Sequence, residues 1–125
     1  MPARVLSVGS CTSDDARLHR VLASQAQVHM ETAYTAHDAK NLIEQHDYTL
    51  VLVNRILDGD GTAGTDFIAD IRKSGIDTPL MLVSDYAEAQ ATAVANGALP
   101  GFGKSDLFSP DTAERFRAIL APAAS

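Results

Sequence analysis

The 125-residue chain has one cysteine, Cys11, which excludes an internal disulfide and any zinc site built from several cysteines. It has no long apolar run. The longest, such as Leu50–Val53 and Leu80–Val83, fall far short of the ~20 residues of a membrane span. The opening Met-Pro-Ala-Arg is followed by no apolar signal core. Positive charge is scarce: 10 Lys and Arg against 16 Asp and Glu give a net charge of −6, which argues against a general grip on nucleic acid. No internal repeat, low-complexity stretch or dividing linker is visible. These absences together lead us to expect a cytoplasmic protein with neither nucleic acid nor membrane as partner.

What is present is an ordinary globular composition, 46% hydrophobic and 21% charged. The length suits one domain, expected over residues 1–121, with 122–125 as a flexible tail or the start of a linker. Two kinds of segment alternate. Val5–Val8, Val28–Ala33, Leu50–Val53, Leu80–Val83 and Leu99–Gly103 read as strands. Between them, apolar residues recur at helical spacing: Leu18, Val21 and Leu22; Ala36, Ala39, Leu42 and Ile43; Phe67, Ile68 and Ile71; the alanines from Ala89 to Ala95. Phe116, Ile119 and Leu120 mark a fifth helix. Ser13 or Asp14 is expected to cap the first helix, Thr35 the second, and Ser109 ahead of Pro110 the last. Leu50–Val53 and Leu80–Val83 are apolar without alternation, as strands covered on both faces must be. The pattern predicts an α/β fold: a flavodoxin-like three-layer αβα sandwich with a five-stranded parallel sheet in order 2-1-3-4-5 and five helices. Ligands of such sheets bind outside the carboxyl ends of the strands. That singles out Gly9 and Ser10, Asn54, Ser84 and Asp85, and Lys104.

These positions resemble the receiver domain of bacterial two-component response regulators, over nearly the whole chain. Ser84 and Lys104 match the family's residues after the fourth and fifth strands. The approach Tyr48–Val53 and the step Asn96-Gly97-Ala98 match as well. The resemblance implies a signal-transduction domain with an acidic pair after strand one and a phosphoacceptor Asp after strand three. Here Gly9 and Ser10 stand in place of the pair, and Asn54 in place of the acceptor. A carboxamide is a poor nucleophile and carries no charge for a metal. Asp85 sets a negative charge where the family has a small residue. Gly101 occupies the place of the aromatic that couples the site to the output face, and Ser105 replaces a Pro.

Nucleophile, metal ligands and aromatic switch are thus missing together, and the chain is read as a pseudo-receiver. It is expected to be no enzyme, to have no catalytic residue, metal or cofactor, and to work by protein–protein interaction. The partner would be a kinase, regulator or effector, bound at the face of the fourth helix, fifth strand and fifth helix. A homodimer through that face is a further use of it. Two alternatives stay open: a phosphorylated regulator with an atypical acceptor, and a small anion or nucleotide binder using Lys104 and the loop Gly59–Gly64. That loop spells G-x-G-x-x-G before a helix, with Asp85 about 20 residues on, but it does not follow its strand directly. Its bland reading is an enlarged, mobile loop.

Each remaining group also has a bland reading. Lys104 is expected to bond the Asn54 carbonyl or to pair with Asp85, and Ser84 to bond local backbone. Asp14 and Asp15 are expected to favour the helix start, with rescue of a weak cation site as the sharper reading. Cys11 lies on the loop beside the pocket and is expected to be unreactive, with a thiol activated by Lys104 as the sharper reading. His19, His29, His37 and His46 show no metal spacing and are expected on the solvated surface. On the fourth helix, Gln90, Thr92 and Ala93 are expected to be surface positions of the docking face.

Overall fold

A computed structural model describes residues 3–120. Strand and helix alternate as β1 (Ala3–Val8), α1 (Thr12–Gln25), β2 (Val28–Ala33), α2 (Ala36–Gln45), β3 (Leu50–Asn54), α3 (Gly64–Lys73), β4 (Leu80–Val83), α4 (Ala87–Ala95), β5 (Leu99–Phe102) and α5 (Pro110–Leu120), with a 3-10 turn at Lys104–Asp106. The sheet runs β2-β1-β3-β4-β5 with every pair parallel, as the pattern predicts. The tail expected at 122–125 lies outside the described residues.

The sheet is covered on both faces because successive strand residues point to opposite sides. Leu6, Val8, Val51, Val53, Leu80 and Leu82 pack with Ala39, Ile43, Phe67, Ile68, Ile71 and Ala93 of α2, α3 and α4. Val5, Leu50, Leu52, Met81 and Val83 pack with Leu18, Leu22 and Phe116 of α1 and α5. The unbroken apolar run Leu50–Val53 is therefore fully buried.

Two caps are as expected: Thr35 Oγ1 accepts from the Asp38 amide at 3.1 Å, and Ser109 Oγ from the Thr112 amide at 3.2 Å. The first helix corrects the expectation. It starts at Thr12, with Cys11 at the N-cap position and no side-chain cap. Ser13 and Asp14 lie inside the first turn because the Asp14 carboxylate is engaged elsewhere, by Lys104.

β5 ends at Phe102, one residue short of the expected Gly103. Its pairing with β4 breaks between Met81 and Val83, where Leu82 faces both Pro100 and Gly101. Pro100 has no N–H to give to a ladder, so the strand bulges there.

Candidate functional site

The tips of β3, β4 and β5 converge on a depression of about 430 Å³ lined by Asn54, Arg55, Ile56, Val83, Ser84, Asp85, Tyr86 and Lys104, with the β1 tip tied to it through Asn54. On its β1 side Gly9 adopts φ +78°, and a Cβ there would stand 2.6 Å from Leu57 Cα. Only glycine lets the β3–α3 loop lie so close. The Gly9 carbonyl accepts from the Asp58 amide at 2.9 Å, while Ser10 is buried. Asn54 lies at the centre. Its Nδ2 donates to Gly9 O at 3.1 Å and to Ile56 O at 3.0 Å. The carboxamide thus closes the gap between the β1 tip and the β3–α3 loop with both of its N–H groups. A carboxylate in the same pose would face two carbonyl oxygens and offer no proton to either.

Ser84 is buried, and its Oγ accepts from the Tyr86 amide at 3.1 Å, the local backbone bond expected of it. Lys104 differs from expectation. It pairs neither with Asn54 nor with Asp85; its Nζ donates to Asp14 Oδ2 at 2.7 Å. This hydrogen bond holds the Asp14 carboxyl below the usual aspartate range. The reason is positional: the first turn of α1 overhangs the β5 tip, a proximity that residues 90 apart in the chain do not announce.

Asp85 is also re-aimed. Its Oδ1 accepts from Ser105 Oγ at 2.6 Å and from the Ser105 amide at 3.3 Å, and the carboxylate folds over Gly103. A proline at 105 would supply neither donor. Two departures from the resembled pattern, Asp85 and Ser105, therefore satisfy each other. Arg55 and Tyr86 went unnoticed in the sequence. The Arg55 guanidinium sits 4.7 Å from the centre of the Tyr86 ring, at the lip of the depression. Each immediately follows a singled-out strand-tip residue, Asn54 and Asp85, and that adjacency was the available signal.

The donor set does not suit a hard divalent cation such as Mg²⁺. Mg²⁺ asks for one or two carboxylates in near-octahedral geometry. Gly9 O already receives two N–H groups and Ile56 O one. Asp14 is neutralised by Lys104. Asp15 is turned under α1, where its Oδ1 accepts from Ser7 Oγ at 2.6 Å and its Oδ2 from Thr32 Oγ1 at 3.2 Å; burial pushes its carboxyl up. Ser7 and Thr32 are cross-strand partners on β1 and β2, so Asp15 pins α1 to both strands. Among the described residues no group of three or more His, Cys, Asp or Glu side chains could hold a metal ion.

The loop Gly59–Gly64 is tied down, contrary to the expected mobility. Ile56 and Ala63 form an antiparallel bridge, the Leu57 amide donates to Thr62 O, and the Gly59 amide to Tyr34 O, each bond at 2.9 Å. Asp60 accepts from the Thr62 and Ala36 amides at 2.9 Å each, which caps α2 from a distance and lowers its carboxyl pKa. The amides of Gly59, Gly61 and Gly64 are all spent on backbone carbonyls, so no cradle of free N–H groups faces a phosphate. Cys11 Sγ lies 3.4 Å from Ser13 Oγ, and the Lys104 ammonium is engaged by Asp14. His19, His29 and His37 are exposed, and His46 is half-buried edge-on to Tyr48.

The fourth helix also departs from expectation. Ala93 is fully buried against the sheet, and Gln90 is half-buried and bonded to the β4–β5 backbone. Of the three positions only Thr92 is exposed. The outer surface carries Ala87, Ala91, Val94 and Ala95, continued by Leu99 and Pro100 of β5.

Among solved structures, a response regulator from Chloroflexus aurantiacus J-10-fl, termed putative, superposes with TM-score 0.81 at 19% identity, covering 97% of this chain and 99% of that one. The receiver domain of the Francisella response regulator 1452 gives TM-score 0.75 at 16% identity, covering 95% and 96%. NtrX from Brucella abortus gives 0.72 at 24% identity; the match covers 93% of this chain but spans only 25% of NtrX. No family model and no curated protein matches the sequence. The fold is that of response-regulator receiver domains.

Proposed function

We propose that this chain is a receiver-like signalling domain of the two-component type that works by binding protein partners and does not take a phosphoryl group on residue 54. The carrying observation is the Asn54 carboxamide, which gives both N–H groups to Gly9 O and Ile56 O. The side chain at the acceptor position is used as a structural tie. The neighbouring contacts support the same reading: the retained Lys104 is paired with Asp14, and the two departures Asp85 and Ser105 satisfy each other. A site merely stripped of its chemistry would leave such groups unpartnered. The domain acts as an adaptor in the cytoplasm, with no reaction of its own. Its docking face is that of α4, β5 and α5, where Ala91, Val94, Ala95, Leu99 and Pro100 form a largely apolar strip. A kinase, another regulator, an effector or a second copy would bind there. Among the described residues no helix is long and apolar enough to cross a membrane.

The test is incubation with acetyl phosphate and Mg²⁺ followed by intact-mass measurement. No mass gain is expected. A stable added phosphoryl group would favour the phosphorylated regulator with an atypical acceptor. A second reading has its own support: Arg55, Ser84 and Lys104 line one depression and are suited to a small anion. A thermal-shift screen with inorganic phosphate, acetate and nucleotides tests it. Stabilisation that disappears in Arg55→Ala would favour it.

A further inference from the structure

At the β4–β5 bulge a single side chain from α4 bonds four backbone groups. Gln90 Nε2 donates to Leu82 O at 2.8 Å, Ser84 O at 3.1 Å and Phe102 O at 3.3 Å, its two N–H groups shared among three carbonyls. Gln90 Oε1 accepts from the Gly101 amide at 3.1 Å. A Cβ on residue 101 would collide with the Leu82 backbone oxygen and crowd Gln90 Oε1, so this backbone arrangement suits glycine there. From the other side, Arg115 of α5 donates to Gly101 O at 2.8 Å and to Pro100 O.

We infer that Gln90 is a clasp that fixes α4 on the β4–β5 bulge and holds the α4–β5 face in one conformation. The physical reason is the cost of opening. Swinging α4 away would strip partners from Leu82 O, Ser84 O and the Gly101 amide at once, in a half-buried place that does not readily rehydrate them. Movement of α4 is therefore tied to rupture of the bulge. The side chain also joins the strand tip at Ser84 to the α4–β5 face. The use of this face for docking rests on the function proposed above. The clasp does not, and hydrogen exchange reads it without any partner.

The experiment is amide exchange followed by NMR on the parent, Gln90→Ala and Gln90→Leu, the second keeping most of the side-chain bulk. Exchange at Ala93, Val94 and Gly101 is expected to speed up by about tenfold or more in both variants. Exchange at Leu6 of β1 and Leu52 of β3, which the clasp does not touch, is expected to stay at the parent rate. Unchanged rates at Ala93, Val94 and Gly101 would overturn the clasp. So would acceleration of Leu6 and Leu52 by the same factor, or failure of both variants to fold, since the loss would then be global.

Discussion

Replacing Asn54 with Asp restores the residue that the resemblance implies, and the geometry says that it harms the protein. The Nδ2 bonds to Gly9 O and Ile56 O, at 3.1 and 3.0 Å, both disappear. Each is worth about 1 kcal/mol, and holding a half-buried carboxylate against two carbonyl oxygens adds up to about 1 kcal/mol more. The expected loss at pH 7 is about 2–3 kcal/mol. For 125 residues, an unfolding entropy of about 2.1 cal/mol/K per residue turns this into a fall in Tm of about 8–11 °C. The new carboxyl, facing carbonyls, is expected to titrate above the ordinary aspartate value. A folded-state pKa that is raised means stability present below the unfolded value, near ~4, and lost as pH rises through the folded one. The deficit should therefore shrink between pH 7 and pH 4, where the protonated group donates to one carbonyl. Urea unfolding and thermal melts at both pH values read this directly. An Asn54→Asp variant as stable as the parent at pH 7 would refute the structural role of the amide.

Three further expectations follow from neighbouring contacts. Lys104→Ala should lower stability by less than about 1 kcal/mol, because the pair with Asp14 is partly exposed; a larger loss in urea would point to a second partner for the ammonium group. Since the Asp14 pKa is depressed, that small contribution should be present above about pH 4 and fade as pH falls through the lowered value. Asp15→Asn should leave Tm at pH 7 unchanged or raise it by up to about 4 °C, and should flatten its dependence between pH 4 and 7. The sign follows from burial: the Asp15 carboxyl is pushed up, so its contribution is full below the ordinary value and lost as pH rises through the folded one. A drop of more than about 4 °C at pH 7 would mean that the Ser7 and Thr32 bonds outweigh burial. Gly9→Asp should cost about 3 kcal/mol or more in urea unfolding, combining a positive φ with a clash against Leu57; a well-folded variant would show that the β3–α3 loop yields.

Much of the fold could be read along the chain because its signals are local. Leu50–Val53 announces a doubly covered strand by having no polar face, and Thr35, Ser109 and Pro110 announce helix starts by their own chemistry. The strand-tip residues could be located for the same reason, since the tips follow from where the strands stop. Their partners could not be. The bulge does leave a local signal, Pro100 followed by Gly101 within a strand, but the side chain that bonds it lies on another element. Asp14 looked like a cap because a cap is the local use of an aspartate in a first turn. Ala93 and Gln90 looked like surface because an alanine-rich helix has too little contrast between its faces to reveal which one is inward.

The order of strands and helices, the sheet they form and the side chains at its carboxyl edge follow from periodicity and short-range sterics along the chain. Tertiary structure alone decided what those side chains do: Asn54 ties β1 to the β3–α3 loop, Lys104 meets Asp14, Ser105 holds Asp85, and Gln90 mends the β4–β5 bulge. The reason is that a hydrogen bond is settled by distances of about 3 Å between atoms, and residues up to 90 positions apart in the chain come that close only after the sheet has closed.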